Sequence, residues 1–429
     1  MSGLLLLVLA CGDKDGAVEI GAAEVALSET IGTVATIRFT TTEAVSAQVL
    51  YETEVRQFET PLDAPTTDHE IVLLGLTANT DVQFQVVLED GTTNEPAGFT
   101  TGNLPSGLPA TLVTGEGHDR WMMSTLIGAT TGPVLISPEG KITWAWVDER
   151  GLDVYRARPL RDGSGVIYNA ASVSGDPADN SVLVKVPWDG SAEETIIVPL
   201  LAHDFVELSD GTVTAIVVEY GEGPDGELRG DSLVEIAPDG TQTPIWSTWD
   251  CFDPAVTPGD EPEIGWTFVN ALDLDPDESA YYISIRNFSS IVKIDRATGA
   301  CEWVIGGEAA TIEVDGDEFL HEHQFELSGD RLLVFDNAGL AFNKSRVIEY
   351  QVDWDAAVAT EVWKYEPDPS LNSFVLGDVS RLDDGDTFIT WSVAGQLDRV
   401  GPDGVPWWTL NTELGYAFGF MTLPAGLYE

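Results

Sequence analysis

A strand that ends in tryptophan recurs along the chain and limits its fold more than any other feature. Gly140-Lys141-Ile142-Thr143-Trp144-Ala145-Trp146, Gly240-Thr241-Gln242-Thr243-Pro244-Ile245-Trp246, Gly299-Ala300-Cys301-Glu302-Trp303 and Gly404-Val405-Pro406-Trp407-Trp408 stand at the same place in successive units. A further copy, Thr360-Glu361-Val362-Trp363, keeps the ending without the leading glycine. Each copy closes a unit of roughly 50–60 residues made of apolar strands and Asp/Gly turns, the size of a four-stranded propeller blade. Such units bury their faces only against one another, so an all-β chain with a six-bladed β-propeller is expected. The units start near Trp121, Asp153, His203, Phe268, His323 and Gly377. The segment 417–423 would then return as a strand of the first unit and close the ring. Two stacked sandwiches are the alternative.

The units also align on a recurring leucine. Four residues before Leu160, Leu208, Leu274, Leu327 and Leu382 stand Arg156, Asp204, Asn270, His323 and Asp378. All five are polar where the inner strands of a propeller face its channel, which predicts a convergent polar site there.

Residues 17–102 read differently. Val34-Ala35-Thr36-Ile37-Arg38-Phe39, Ala47-Gln48-Val49-Leu50-Tyr51 and Val82-Gln83-Phe84-Gln85-Val86-Val87 alternate apolar and polar side chains, the period of half-buried strands. Leu74-Gly75-Leu76-Thr77-Ala78-Asn79-Thr80 resembles the penultimate loop of a fibronectin type III domain. A small fibronectin type III or immunoglobulin-like β-sandwich over 17–102 is expected, with the propeller over 103–429 beginning at the Pro-rich linker 103–109.

Ahead of it, Val8-Leu9-Ala10-Cys11 follows a short apolar run and looks like a lipobox. Residues 1–16 are therefore read as lipoprotein signal and tether, with Cys11 lipidated and the protein extracytoplasmic, held to a membrane by its lipid alone. The two remaining cysteines, Cys251 and Cys301, are expected to pair in that oxidising compartment. Asp+Glu 72 against Lys+Arg 20 gives a net charge of −52. Such a field repels nucleic acid and anionic surfaces and suits a saline medium. It also opposes an anionic substrate unless the site is locally positive.

Histidine is scarce, five in 429 residues, so two at 321 and 323 beside an apolar run are notable. Around them lie Val269-Asn270-Ala271-Leu272-Asp273, Ser284-Ile285-Arg286-Asn287, Ile291-Val292-Lys293-Ile294-Asp295, Trp303-Val304-Ile305-Gly306-Gly307, Phe335-Asp336-Asn337 and Ser345-Arg346-Val347. Together these pieces resemble the bacterial aryl sulfate sulfotransferase (arylsulfotransferase) family, most clearly over roughly residues 200–350.

The resemblance implies transfer of a sulfuryl group from an aryl sulfate donor to a phenolic acceptor, with no cofactor and no metal. It makes His323 the nucleophile that carries a transient sulfo group, and His203 a second histidine that polarises the sulfuryl oxygens. Arg286 would hold those oxygens through its guanidinium fork, and Asn270 through its amide. Phe268 stands where the family has histidine, which removes a donor or acid–base group. Trp266, Phe268 and Phe288 are expected to stack on aryl rings. His321 is read as a surface residue that shares a face with His323, and His118 as a remote alternative. Asp273-Leu274-Asp275-Pro276-Asp277 and Asp315-Gly316-Asp317 are read as turns. A non-catalytic surface propeller that binds a ligand or partner through its channel remains the alternative function, and the sequence does not specify an oligomeric state.

Overall fold

The computed structural model describes residues 18–115, 117–172, 179–224, 226–256, 265–338 and 344–428. Cys11 and the tether beside it lie outside the described residues. No described helix is long and apolar enough to cross a membrane.

The alternating runs near the N-terminus form two antiparallel sheets. One holds Glu24–Leu27, Ala35–Val45 and Thr66–Leu73, and the other Gln57–Glu59, Ala47–Glu52, Asp81–Leu88 and Ala97–Thr100. Period 2 sends Ile37, Phe39, Val49, Tyr51, Val82, Phe84 and Val86 into one shared core.

Six further sheets follow in chain order, which makes an all-β, propeller-like arrangement. Three are plain four-stranded meanders that begin with Asp153–Pro159, Leu201–Glu207 and Val269–Leu274. Another begins with Phe325–Ser328 and gains Glu313–Asp315, which runs parallel to Val358–Tyr365. The remaining two exchange the ends of the chain. Ala417–Phe418 pairs with Met122–Ile127, as expected of the returning segment. The reciprocal pairing was not legible: Thr111–Gly115, which precedes the first unit, joins Pro406–Thr412 of the last.

The recurring tryptophans explain why the sheets stay together. Trp246 ends its own sheet yet shares a core with Leu272, Tyr281 and Val292 of the next. Trp408 does the same with Met122, Leu126 and Val134. A large side chain at a strand end reaches across the gap that two twisted sheets leave between them. Cys251 and Cys301 form a disulfide, with Cα atoms 6.0 Å apart, that ties the 3₁₀ turn after one sheet's last strand to the start of the next sheet's last strand, Cys301–Ile305.

Polar bonds link each first strand to the next. His203 Nδ1 lies 3.2 Å from the Val269 carbonyl, and Asn270 Nδ2 donates to the Glu322 carbonyl at 2.8 Å. The Arg381 N–H donates to Glu326 at 3.0 Å, the Met421 N–H to Asp378 at 2.8 Å, and the Phe420 N–H to the Tyr155 carbonyl at 2.7 Å. At the centre, Arg156 bridges Asp204 at 3.0 Å and Asp378 at 3.1 Å, and donates to the Met421 carbonyl at 2.6 Å. Three of the five aligned polar positions thus neutralise one another in a buried ion cluster, instead of lining an open channel at that depth. Burial pushes the Asp204 carboxyl upward, but Arg156 and Arg158 outweigh it and hold the group below its ordinary range. Burial wins at Asp378, which is raised.

Candidate functional site

Above that cluster, the scarce residues singled out in the sequence gather. The imidazole rings of His203 and His323 stand perpendicular, with centroids 6.2 Å apart. Phe268 lies edge-on to His203 at 5.0 Å, and the Arg286 guanidinium carbon is 5.8 Å from the centre of the Phe268 ring. His203, His323, Asn270 and Arg286 are buried, whereas Phe268 is half-buried.

Three consecutive residues secure His323. Phe335 exchanges backbone bonds with His323 and Gln324. The Asp336 carboxylate accepts from the N–H groups of Leu320 and Ala338 and pairs with Arg346 at 2.6 Å. The Asn337 amide nitrogen donates to the carbonyls of Ser373 and Leu376. Its oxygen must therefore be the atom 2.8 Å from His323 Nδ1, so that nitrogen carries the proton. Nε2 is left with a bare lone pair. The Val269 carbonyl fixes the same tautomer in His203. Gly377 permits this packing, because a Cβ there would overlap the Phe335 ring at 2.0 Å.

The electrostatics favour neutral rings. Burial, with Arg229 and Arg286 adding to it, lowers His203 to about 3 against the pull of the Val269 carbonyl and Asp204. Burial also drops His323 well below the ordinary imidazole value, with His203 and Arg286 adding to the effect. Between them and the core, Glu322 is fully buried, and burial lifts its carboxyl well above the carboxylate range. Its Oε1 accepts from Ser284 Oγ at 3.0 Å.

Backbone strain collects around the site. Phe268, Ser289 and His321 have φ of 60°, 49° and 55°, a region that side chains other than glycine visit at a cost. Asp231 holds Phe268 there, because its Oδ2 accepts from Thr267 Oγ1 at 2.6 Å and from the Val269 N–H at 2.9 Å. Arg286 begins a 3₁₀ turn, Arg286–Phe288; its N–H donates to the Phe268 carbonyl at 3.1 Å, and its guanidinium donates to Asn287 Oδ1 at 2.8 Å.

Not every expected residue joins the group. Trp266 packs on Trp249 at 5.3 Å and Phe288 on Phe252 at 5.1 Å, and both rings sit in a core cluster. Asn270 spends one amide N–H on the Glu322 carbonyl and so steadies the backbone before His323. His321 is buried, which corrects its reading as a surface residue. Residues 321–324 are not strand, so the alternation that would put His321 on His323's face does not apply. His118 packs edge-on against Trp408 at 4.5 Å. Asn337, Asp231 and Arg229 were missed; only Asn337 fell within a quoted motif.

Residues 190–403 match the family model described as Arylsulfotransferase (ASST). Comparison with curated proteins finds no match. Similar solved structures include a protein of unknown function from Bacteroides caccae, at 11% identity and a TM-score of 0.44, covering 72% of this chain and 100% of that one. A streptogramin B lyase covers 73% and 98% at 12% identity and a TM-score of 0.41. The periplasmic gluconolactonase of Pseudomonas aeruginosa covers 89% and 99% at 14% identity and a TM-score of 0.37. Likenesses this distant carry no argument about this chain's activity. The family match does: the chain belongs to the arylsulfotransferase family, and aryl sulfotransfer is the activity at the level of that family.

Proposed function

We propose that this protein moves a sulfuryl group from an aryl sulfate ester to a phenolic acceptor through a sulfohistidine at His323, without a nucleotide. The observation that carries the reading is the pair of perpendicular imidazoles 6.2 Å apart with Arg286 beside them. A neutral His323 with its proton at Nδ1 has Nε2 free to attack sulfur, as a buried nucleophile needs. Arg286 offers positive charge to the sulfuryl oxygens, preorganised by its bond to Asn287. His203 can donate to such an oxygen only as an imidazolium, so an anionic donor that binds there would draw a proton onto its Nε2. Asn270 acts through the backbone it holds.

The scaffold in this reading is a six-bladed propeller over 103–429 behind a fibronectin-type sandwich over 17–102. The ring of bonds between first strands supports the former, and the shared core of two antiparallel sheets the latter. A disulfide suits an extracytoplasmic compartment.

Phe268, which bears no proton donor, favours the alternative of a non-catalytic binding propeller. Release of 4-nitrophenolate from 4-nitrophenyl sulfate, dependent on added phenol, separates the two. Transfer by wild type that disappears in His323→Ala, with a sulfo group trapped on His323 by rapid quench and mass spectrometry, is the expected result. Transfer that survives His323→Ala would remove the sulfohistidine from the mechanism. No transfer by the wild type would leave the binding reading.

A further inference from the structure

We infer that Arg229 is the second cation of this site and pairs with the aryl oxygen that departs as the S–O bond breaks, an inference that rests on the transfer reading above. Attack forms an Nε2–S bond at His323 and breaks the S–O(aryl) bond, whose electron pair stays on the aryl oxygen. The Nδ1 proton remains on the bond to Asn337. The negative charge of the ester therefore ends on the phenolate, while imidazolium and sulfo group offset each other.

In the transfer reading the proton that His203 gains on Nε2 goes to a sulfuryl oxygen, not to the aryl oxygen. The Nδ1 protons of His203 and His323 face the Val269 carbonyl and Asn337 Oδ1. Phe268 has none to give. The Tyr155 hydroxyl donates to Asp153 at 3.1 Å. The oxygen leaves as an anion, and an anion there needs a cation.

Two guanidiniums flank the half-buried Phe268 ring. The Arg229 carbon is 5.5 Å from the centre of Phe268, and the Arg286 carbon 5.8 Å. Arg286 acts on both His203 and His323, between which the sulfuryl group would sit. Arg229 comes from another strand, Gly226–Ile236, and bears on His203. In-line displacement places the leaving oxygen away from the nucleophile, and the inference assigns that side to Arg229. The strand sets its position: the Arg229 carbonyl accepts from the Trp266 N–H at 2.6 Å, and Asp231, two residues on, pins the turn that presents Phe268. A cation so placed also answers the repulsion that a chain of net charge −52 exerts on its substrate.

The test uses full-length protein and phenyl sulfates whose leaving phenols span a range of acidity, compared across wild type, Arg229→Gln, Phe268→His and the double variant. Arg229→Gln should cost about 10-fold in kcat/KM with 4-nitrophenyl sulfate and about 100- to 1000-fold with the poorest leaving groups, so the dependence on leaving-group acidity steepens. Adding Phe268→His should restore the poor leaving groups to Arg229→Gln, because a proton donor then replaces the cation. An equal loss across the series, or none, would overturn the inference. If the wild type transfers nothing, titration with 4-nitrophenol above and below its pKa still decides. The inference requires tighter binding of the phenolate, lost in Arg229→Gln and kept in His323→Ala; equal binding of phenolate by wild type and Arg229→Gln would refute it.

Discussion

Asn337 offers His323 only an oxygen, 2.8 Å from Nδ1, because both hydrogens of its amide are taken by the carbonyls of Ser373 and Leu376. One side chain thus decides which nitrogen of another is nucleophilic. Asn337→Leu should lower kcat about 100-fold with little change in KM, as loss of an orienting partner does. Two stranded carbonyls should also cost about 1–3 kcal/mol each, read from urea unfolding.

The same contact predicts a pH profile. Burial keeps His323 well below its ordinary pKa, so the wild-type rate should show no loss from His323 protonation on acidification through 6.5. Asn337→Asp keeps the acceptor and adds a negative charge, which favours the imidazolium. An acid limb near neutrality should appear in its pH–kcat profile and be absent from the wild type.

Glu326 should make stability fall as the medium turns alkaline. Burial raises its pKa from 4.5 to about 7 in the folded protein. The folded state therefore holds the proton more tightly, which stabilises fully below about 4.5 and is lost as pH rises through 7. Urea midpoints measured from pH 4.5 to 8 should decline in wild type and decline less in Glu326→Gln.

The central ion cluster should be intolerant of partial removal. Arg156→Met takes the cation from the buried Asp378 carboxylate and leaves Asp204 with Arg158 alone, and breaking one side of a buried pair costs about 3–5 kcal/mol. Adding Asp378→Asn should recover part of that loss in urea unfolding. An unchanged midpoint in Arg156→Met would show that the cluster adds nothing to stability.

Asp231→Ala should release Phe268 from its left-handed turn. The variant loses both bonds that hold the turn and should show a lower kcat/KM for aryl sulfates. Adding Phe268→Gly, which removes the strain at φ 60°, should raise thermal stability relative to Asp231→Ala alone.

The sheets were legible because alternation and a repeated strand-ending tryptophan are local patterns that burial enforces. His203, His323 and Arg286 were singled out because histidine is scarce and the motifs around them resemble the family's; of the three only His323 also stands at the aligned place in the repeat. Asn337, Asp231 and Arg229 were not, since each acts from a neighbouring strand on a residue distant in sequence, and none differs in type from an ordinary turn residue. Trp266 and Phe288 show the converse. An aromatic side chain has the same chemistry in a core as beneath a substrate, and only packing tells which it is. His321 was misread because a period of 2 was assumed where the backbone turns left-handed.

The exchange of strands between the first and last sheets reaches beyond the folded state. As the chain leaves the ribosome, Thr111–Gly115 has no partner until Pro406–Thr412 follows, and Met122–Ile127 keeps a bare edge until Ala417–Phe418 arrives. Until those late strands are made, both sheets keep a bare edge that another strand could join, so the nascent chain is exposed to mispairing for most of the propeller's synthesis.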